Sequence, residues 1–427
     1  MKILIVTQIY LPEMGALANR LYPIVRELVA KGHEVTVATG MPSYPAGKVF
    51  PEYRGTLFSR EEKDGYTILR TAYLTTPRNK SKASQLASYV SFVPSVLVSG
   101  LRAGKFDVVF VTAPPPFPII SAIQLARLRG AKLVMDVRDL WSDELVAYCG
   151  MNEASMPVRV VRKIEQWGYR RADLVTCTTR SLIDTVVERG ANRNHTMLLP
   201  NGADLEVFRR LPSCGNGDPY GFGNRFVVMY SGLFGIKHGL EVLLDAARLL
   251  RNRNDIVFFL LGNGARRDAL VKKIRDESID NVIVGDECPV EEVPKIIARA
   301  GVCFAATQAE PYAEKLISVK IFEYMACEKP VIGSVVGESS RVIRESGAGI
   351  VVAPGDAEAL ADAVVRLHKN PIQRRQMGKA GRRYVERKYS RAAWAAQLCQ
   401  SLEGLVYEGQ NAKDLRYAET AAIPPEI

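Results

Sequence analysis

Ser318, Lys320 and Glu323 stand close together in Glu310-Pro-Tyr-Ala-Glu-Lys-Leu-Ile-Ser-Val-Lys-Ile-Phe-Glu-Tyr-Met-Ala-Cys-Glu-Lys-Pro-Val-Ile-Gly333. The pattern predicts a helix of about nine or ten residues, with Ser318 as N-cap and Pro330 as the stop before a strand. Its first turn would present free backbone N–H groups beside the Lys320 ammonium, and the two together favour a diphosphate. Glu323 follows on nearly the same face. Its carboxylate can accept two hydrogen bonds from a vicinal diol such as a ribose. The plainer alternative is an i,i+3 ion pair between Lys320 and Glu323 on an ordinary amphipathic helix.

A second group with chemistry is Arg138-Asp139, directly after the apolar run 132–137. Ligands of open α/β sheets bind beyond the carboxyl ends of the strands. There Asp139 could orient or deprotonate an acceptor hydroxyl and Arg138 could hold a phosphate; alternatively, Asp139 pairs with Arg138 or caps the next helix. Near the start, Gly15 would let the backbone approach a phosphate at a helix N-terminus, with Arg20 about one turn further on. A glycine that only makes the turn is the alternative. The loop lacks Gly-x-Gly-x-x-Gly, which removes support for a dinucleotide. Seven scattered cysteines without a Cys-x2-Cys pair indicate neither a disulfide framework nor a zinc site. No Asp-x-Asp stands at a strand end in the second half, so no metal and no cofactor is expected.

The run Ser318-Val-Lys-Ile-Phe-Glu-Tyr-Met-Ala326 resembles the donor-site helix of the GT4 family of retaining, nucleotide-sugar-dependent glycosyltransferases. Its form is similar to that of the subgroup building bacterial surface polysaccharides of the O-antigen and colanic-acid type. Pro12-Glu-x-Gly15, Lys31-Gly-His-Glu-Val35, Arg138-Asp-Leu-Trp141 and Pro200-Asn-Gly-Ala-Asp204 extend the likeness, which covers positions 2 to about 395. It implies an α/β GT-B fold: two doubly wound Rossmann-like domains facing across a cleft, acceptor on the N-terminal side and donor on the C-terminal side. By the same likeness Glu323 is the second residue of a Glu-x7-Glu pair, whose first falls on Lys315, with Glu314 one place early. The loop Gly232–Gly239 would bind the donor diphosphate. Leu233 and His238 occupy the family's Arg and Lys positions there, so the phosphate role passes to Lys237, with Lys315 or Lys320 supplying the missing charge. Gly264 joins the donor side, and the backbone around Val290 would take the nucleobase. His33 is structural in this reading.

The resemblance implies retaining transfer from a UDP-sugar, an N-acetylated hexosamine being one candidate, to a glycan or polyprenyl-diphosphate-linked acceptor. The rival readings are a sugar-nucleotide 2-epimerase of the same fold and a non-catalytic sugar-nucleotide-binding partner.

These residues must be positioned by strands and helices in alternation. Continuous apolar runs at 2–7, 106–112, 132–136, 226–231, 256–261 and 281–285 read as buried parallel strands. The expected division is a domain over 1–210, a turn-rich linker over 211–224, a second domain over 225–388, a helix over 389–408 crossing back, and a loose tail over 409–427. Residues 41–83 read as irregular.

The chain has 427 residues and a net charge of +11. Residues 1–210 hold 28 Lys and Arg against 19 acids, a net +9, and the remainder only +2. Such an excess suits nucleic acid, an anionic membrane or a phosphorylated substrate, with a merely solvated surface as the alternative. Aromatics are not interleaved with the charges, so nucleic acid is not an expected partner. No apolar run reaches the roughly 18 residues of a membrane span, and the start is too short for a secretory signal, so a cytoplasmic location is expected. The apolar stretch 86–101, after Arg78, Lys80 and Lys82, reads either as a core helix or as a peripheral contact with the cytoplasmic face of the inner membrane.

Overall fold

The computed structural model describes residues 1–13, 16–44, 46–77, 81–212 and 218–407. Gly15, Arg78, Lys80, the middle of the expected linker and the expected tail lie outside the described residues. The chain divides into two compact units: Met1–Pro200 together with the chain from Ala392, and Asn201–Arg391.

In the first unit the apolar runs form an eight-stranded sheet. Its strands are β1 (Lys2–Val6), β2 (Glu34–Gly40), β3 (Phe58–Lys63), β4 (Tyr66–Thr71), β5 (Val108–Ala113), β6 (Lys132–Val137), β7 (Leu174–Cys177) and β8 (Thr196–Leu198). The order is β3-β4-β2-β1-β5-β6-β7-β8, and only β3 runs antiparallel to its neighbour. That β3–β4 hairpin lies inside 41–83 and corrects the irregular reading. Its turn is Asp64-Gly65, with φ of 47° and 82°, the two-residue left-handed form that Asp-Gly favours. The strand was hidden because Ser59-Arg-Glu-Glu-Lys63 is polar, as an edge strand with one covered face can be.

The helix Lys82–Arg102 runs on through Pro94. At the other end of the chain, the helix Arg391–Tyr407 contributes Ala395, Leu398, Cys399, Leu402 and Leu405 to the core that contains Ile3, Ile5, Leu21 and Val108. His33 closes the turn into β2 through its N–H to the Leu28 carbonyl, 3.0 Å. Its Nε2 lies 3.0 Å from the Glu403 carboxylate and 3.3 Å from Cys399 Sγ, which ties the turn to that helix.

The second unit holds six parallel strands: β9 (Phe226–Ser231), β10 (Ile256–Leu261), β11 (Val282–Gly285), β12 (Val302–Ala306), β13 (Val331–Ser334) and β14 (Gly349–Val352). Every residue of β9, β10 and β12 is buried, because apolar layers cover both faces. The order β11-β10-β9-β12-β13-β14 reverses between β9 and β12. In doubly wound sheets the crevice at that reversal is where ligands bind.

The first division falls between Pro200 and Asn201, not after 210. Ala203 explains it: its N–H donates to Tyr389 O (2.9 Å) and its carbonyl accepts from Arg391 N (3.1 Å). Gly202, at φ 55°, passes so near Tyr389 O that a Cβ would stand 2.4 Å from it. Asn201-Gly202-Ala203 therefore belong to the second unit.

Candidate functional site

The helix Val319–Ala326 begins beside the reversal of the second sheet. It is shorter than the expected nine or ten residues and ends well before Pro330. Glu328 turns left-handed (φ 55°), and the Lys329 N–H reaches back to the Tyr324 carbonyl, 3.0 Å. Ser318 occupies the N-cap position, yet its hydroxyl makes no capping bond. It lies instead 3.5 Å from Lys320 Nζ, while the Ser318 N–H donates to Ser339 Oγ, 3.2 Å. The helix start is thus not closed by the side chain that sequence reasoning gave it.

Lys320 is buried, with its ammonium 4.8 Å from the Tyr230 ring centroid. Gly232 at the end of β9 makes room for it: a Cβ there would sit 3.3 Å from Lys320 Cε, and its φ of 131° suits glycine. Burial is the main cause that brings the Lys320 ammonium down to about 8; Lys237 adds to the effect and Glu323 opposes it. His238 is driven to about 2, by burial first and then by Lys320 and Lys237. Lys320 and Lys237 thus carry like charge at the end of β9, and His238 stays neutral beside them.

The loop that carries them is fixed from two sides. Tyr324, one turn along the helix, accepts the Ser231 N–H at 2.8 Å. Beyond β10, the Gly232 N–H donates to Leu261 O (2.9 Å) and the Phe234 N–H to Asn263 O (2.8 Å). A Cβ on Gly264 would lie 2.6 Å from Phe234 O, so the crossing of two backbones already requires that glycine.

Glu323 is mostly buried. Desolvation raises its carboxyl pKa, while Arg391 and Lys320 hold it down. Arg391 Nη2 lies 3.5 Å from Glu323 Oε1, and its Nε donates to Asn201 O at 2.9 Å. Sequence reasoning missed Arg391, since nothing at that position announces a partner 68 residues away. Lys315 ends a 3-10 turn, Pro311–Lys315, and is half-buried, whereas Glu314 is exposed. Val290 follows β11, half-buried against the core. Ser318, Lys320, Glu323, Gly232, Lys237 and His238 are therefore neighbours around one helix start.

In the first unit, Arg138 and Asp139 follow β6 at its carboxyl end, both half-buried. Arg138 donates from Nε to Thr112 Oγ1 (3.1 Å) and from Nη2 to Pro114 O (2.6 Å). Arg20 departs from the phosphate role expected of it. Its Nε and Nη2 engage both oxygens of buried Asp136, at 3.0 and 2.7 Å, and Nη2 also reaches Leu199 O at 2.8 Å. Burial works against the Asp136 carboxylate, but Arg20 and the Thr176 hydroxyl outweigh it and hold the carboxyl below its usual range. Glu13, also unforeseen, accepts the N–H groups of Tyr10, Ser43 and Tyr44 at 3.2, 2.8 and 2.8 Å, and so joins two loops at the carboxyl ends of β1 and β2.

Two family models match the chain: "Glycosyl transferase 4-like domain" over residues 15–202 and "Glycosyl transferases group 1" over 219–384. Among curated proteins, the chain is 23% identical over 418 residues to the putative colanic acid biosynthesis glycosyl transferase WcaI of Escherichia coli K12, covering 95% of this chain and 100% of that one. It is 24% identical to the probable glycosyltransferase WbjE of Pseudomonas aeruginosa, over 71% of this chain and 75% of that one. Of solved structures, HepE of Anabaena in complex with UDP matches with a TM-score of 0.69 at 17% identity, over 95% of this chain and 100% of that one, a likeness of fold. With both sheets and both family matches in place, the chain belongs to the group 1 glycosyl transferases with a GT4-like first domain, and it is a glycosyltransferase of the GT-B fold.

Proposed function

We propose that the protein transfers a sugar, with retention, from a UDP-sugar to a glycan or polyprenyl-diphosphate-linked acceptor in the synthesis of a bacterial surface polysaccharide. The observation that carries this is the buried Lys320 ammonium at an uncapped helix start, with Lys237 near it and a neutral His238 imidazole beside it, at the reversal of the sheet. A diphosphate would neutralise it. The relatives support the reading, since WcaI is named for colanic acid biosynthesis and HepE was solved with UDP and with UDP-glucose.

In this mechanism the bond from the sugar anomeric carbon to the phosphate oxygen breaks, and its electron pair leaves with UDP. The Lys320 ammonium and the first-turn amides stabilise that charge as it develops. The acceptor oxygen bonds to the same face of the carbon, and its proton passes to the departing phosphate. Glu323 accepts hydrogen bonds from the ribose, Val290 lies by the base, and Asp139 orients the acceptor hydroxyl with Arg138 near its phosphate. Amines and amides supply the charge that a divalent ion would otherwise bring, so turnover is expected to survive EDTA. A nucleotide-sugar donor fits a cytoplasmic location.

The test is calorimetric titration with UDP and UDP-sugars, followed by product analysis with glycan and lipid-linked acceptors. Glu323→Ala should weaken UDP binding by about 1.5–3 kcal/mol; unchanged affinity removes Glu323 from the donor site. Asp139→Ala should spare UDP binding and lower transfer by about 10²–10⁴-fold. Conversion of the UDP-sugar without an acceptor would point to an epimerase instead.

A further inference from the structure

The helix Lys82–Arg102 has two apolar faces, and only one is covered. On the inner side Phe92 and Val96 are buried, Ser121 Oγ donates to Val93 O (2.7 Å), and Gly100 lets Leu125 approach so closely that a Cβ would stand 2.5 Å away. On the outer side Leu86, Val90 and Val98 are each 49% exposed and Leu101 37%. Ala83, Ala87 and Pro94 fill the exposed positions between them, at helical spacing. An apolar surface all round a helix suits an apolar environment on both sides.

The outer stripe is continued by its neighbours. Leu74, 62% exposed, donates its N–H to Ser91 Oγ at 3.0 Å. Leu57, 79% exposed, precedes Phe58, whose ring lies 5.1 Å from the Arg102 guanidinium. Residues 65–106 contain no Asp or Glu, and Arg102 and Lys105 are exposed at the helix's end.

We propose that this face docks on an anionic lipid surface, with the helix lying along the interface. Contrary to the expectation from continuous apolar runs, the segment Ala83–Arg102 is long and apolar enough to cross a bilayer, because small and hydroxyl residues extend it; its inner face is packed on the helix Pro118–Arg129, which favours lying on the membrane over spanning it. Anionic headgroups complement the basic end while the apolar stripe enters the acyl boundary. A second copy on a twofold axis would instead set basic patch against basic patch.

The full chain is pelleted with vesicles of phosphatidylglycerol and phosphatidylcholine, and separately with phosphatidylcholine alone. Binding to the anionic vesicles, weakened by salt, is expected. Val90→Glu with Val98→Glu should reduce it at least about tenfold, with melting temperature and UDP affinity unchanged. Should the charged pair lower the melting temperature, Val90→Ser with Val98→Ser is read the same way. Wild-type protein left in the supernatant, equal binding by the variants, or equal binding to neutral vesicles overturns the proposal. So does a wild-type dimer that the variants abolish, which would give the face to a second copy. Vesicle binding is read without sugar transfer, so it stands or falls separately from the donor assignment.

Discussion

At the carboxyl ends of the first sheet, Arg20 is held by both oxygens of Asp136 and by the Leu199 carbonyl. At the carboxyl ends of the second, Lys320 has Lys237 and a neutral His238 near it, and its neighbouring carboxylate, Glu323, is also contacted by Arg391. Both cations are buried beside a parallel sheet. The difference is charge balance. A buried cation held by both oxygens of an acid is well compensated; a buried cation whose carboxylate is shared with Arg391 and which has a second ammonium nearby would be better compensated by an added anion. The second arrangement costs folding energy, and under the proposed function that cost is recovered when a diphosphate binds.

Removing each cation in turn should separate the two roles. Arg20→Ala leaves Asp136 buried and uncompensated, and should lower stability by about 3–5 kcal/mol in urea unfolding. UDP affinity of the protein that remains folded should not change. Lys320→Met should do the reverse: stability equal to or above wild type, and UDP affinity lower by about 2–3 kcal/mol, the range of hydrogen bonds to charged groups. If Lys320→Met unfolds the protein as Arg20→Ala does and keeps its UDP affinity, the two cations play one role and the distinction is lost.

The two cations should also differ in their response to pH. Lys320 titrates near 8 in the folded protein and, like any lysine, near 10.4 when unfolded. Between those values the unfolded chain holds more protons, so stability rises with pH, by about 1–3 kcal/mol in all. Below about 8 the group is protonated in both states and the effect vanishes. UDP affinity runs oppositely, falling above about 8 as the ammonium is lost. The Lys320→Met variant should show neither slope.

Much of this was legible beforehand, for identifiable reasons. Parallel strands such as β9 and β10 are continuous apolar runs because both faces are covered, and that pattern survives in sequence. The helix Val319–Ala326 was legible because Ser318, Lys320 and Glu323 are local to one another. What required the fold were partners distant in the chain. Arg20 meets Asp136 across 116 residues, and only that meeting shows that its charge is already spent on structure. Glu13 meets Ser43, and Arg391 meets Glu323, on the same terms. Gly264 illustrates a different limit: glycine lets a phosphate approach a backbone, or another backbone approach it, and the residue reads the same in either case.

The smallest effect tests Arg391. Its guanidinium opposes the burial that raises the Glu323 carboxyl, and it holds that carboxyl from the side of Asn201. Arg391→Gln removes the charge and keeps a hydrogen-bonding group, so the Glu323 pKa should climb further above its usual value. In the proposed function the ribose hydroxyls are bound by the ionised form; affinity should therefore be present at high pH and fall as pH drops through that pKa. At pH 8 the variant should lose only about 1 kcal/mol of UDP affinity, the worth of one weakened hydrogen bond. As the titration is carried toward pH 5, its loss should set in at higher pH than in wild type. Coincident midpoints would mean that Arg391 holds the Asn201 turn and leaves the Glu323 charge untouched.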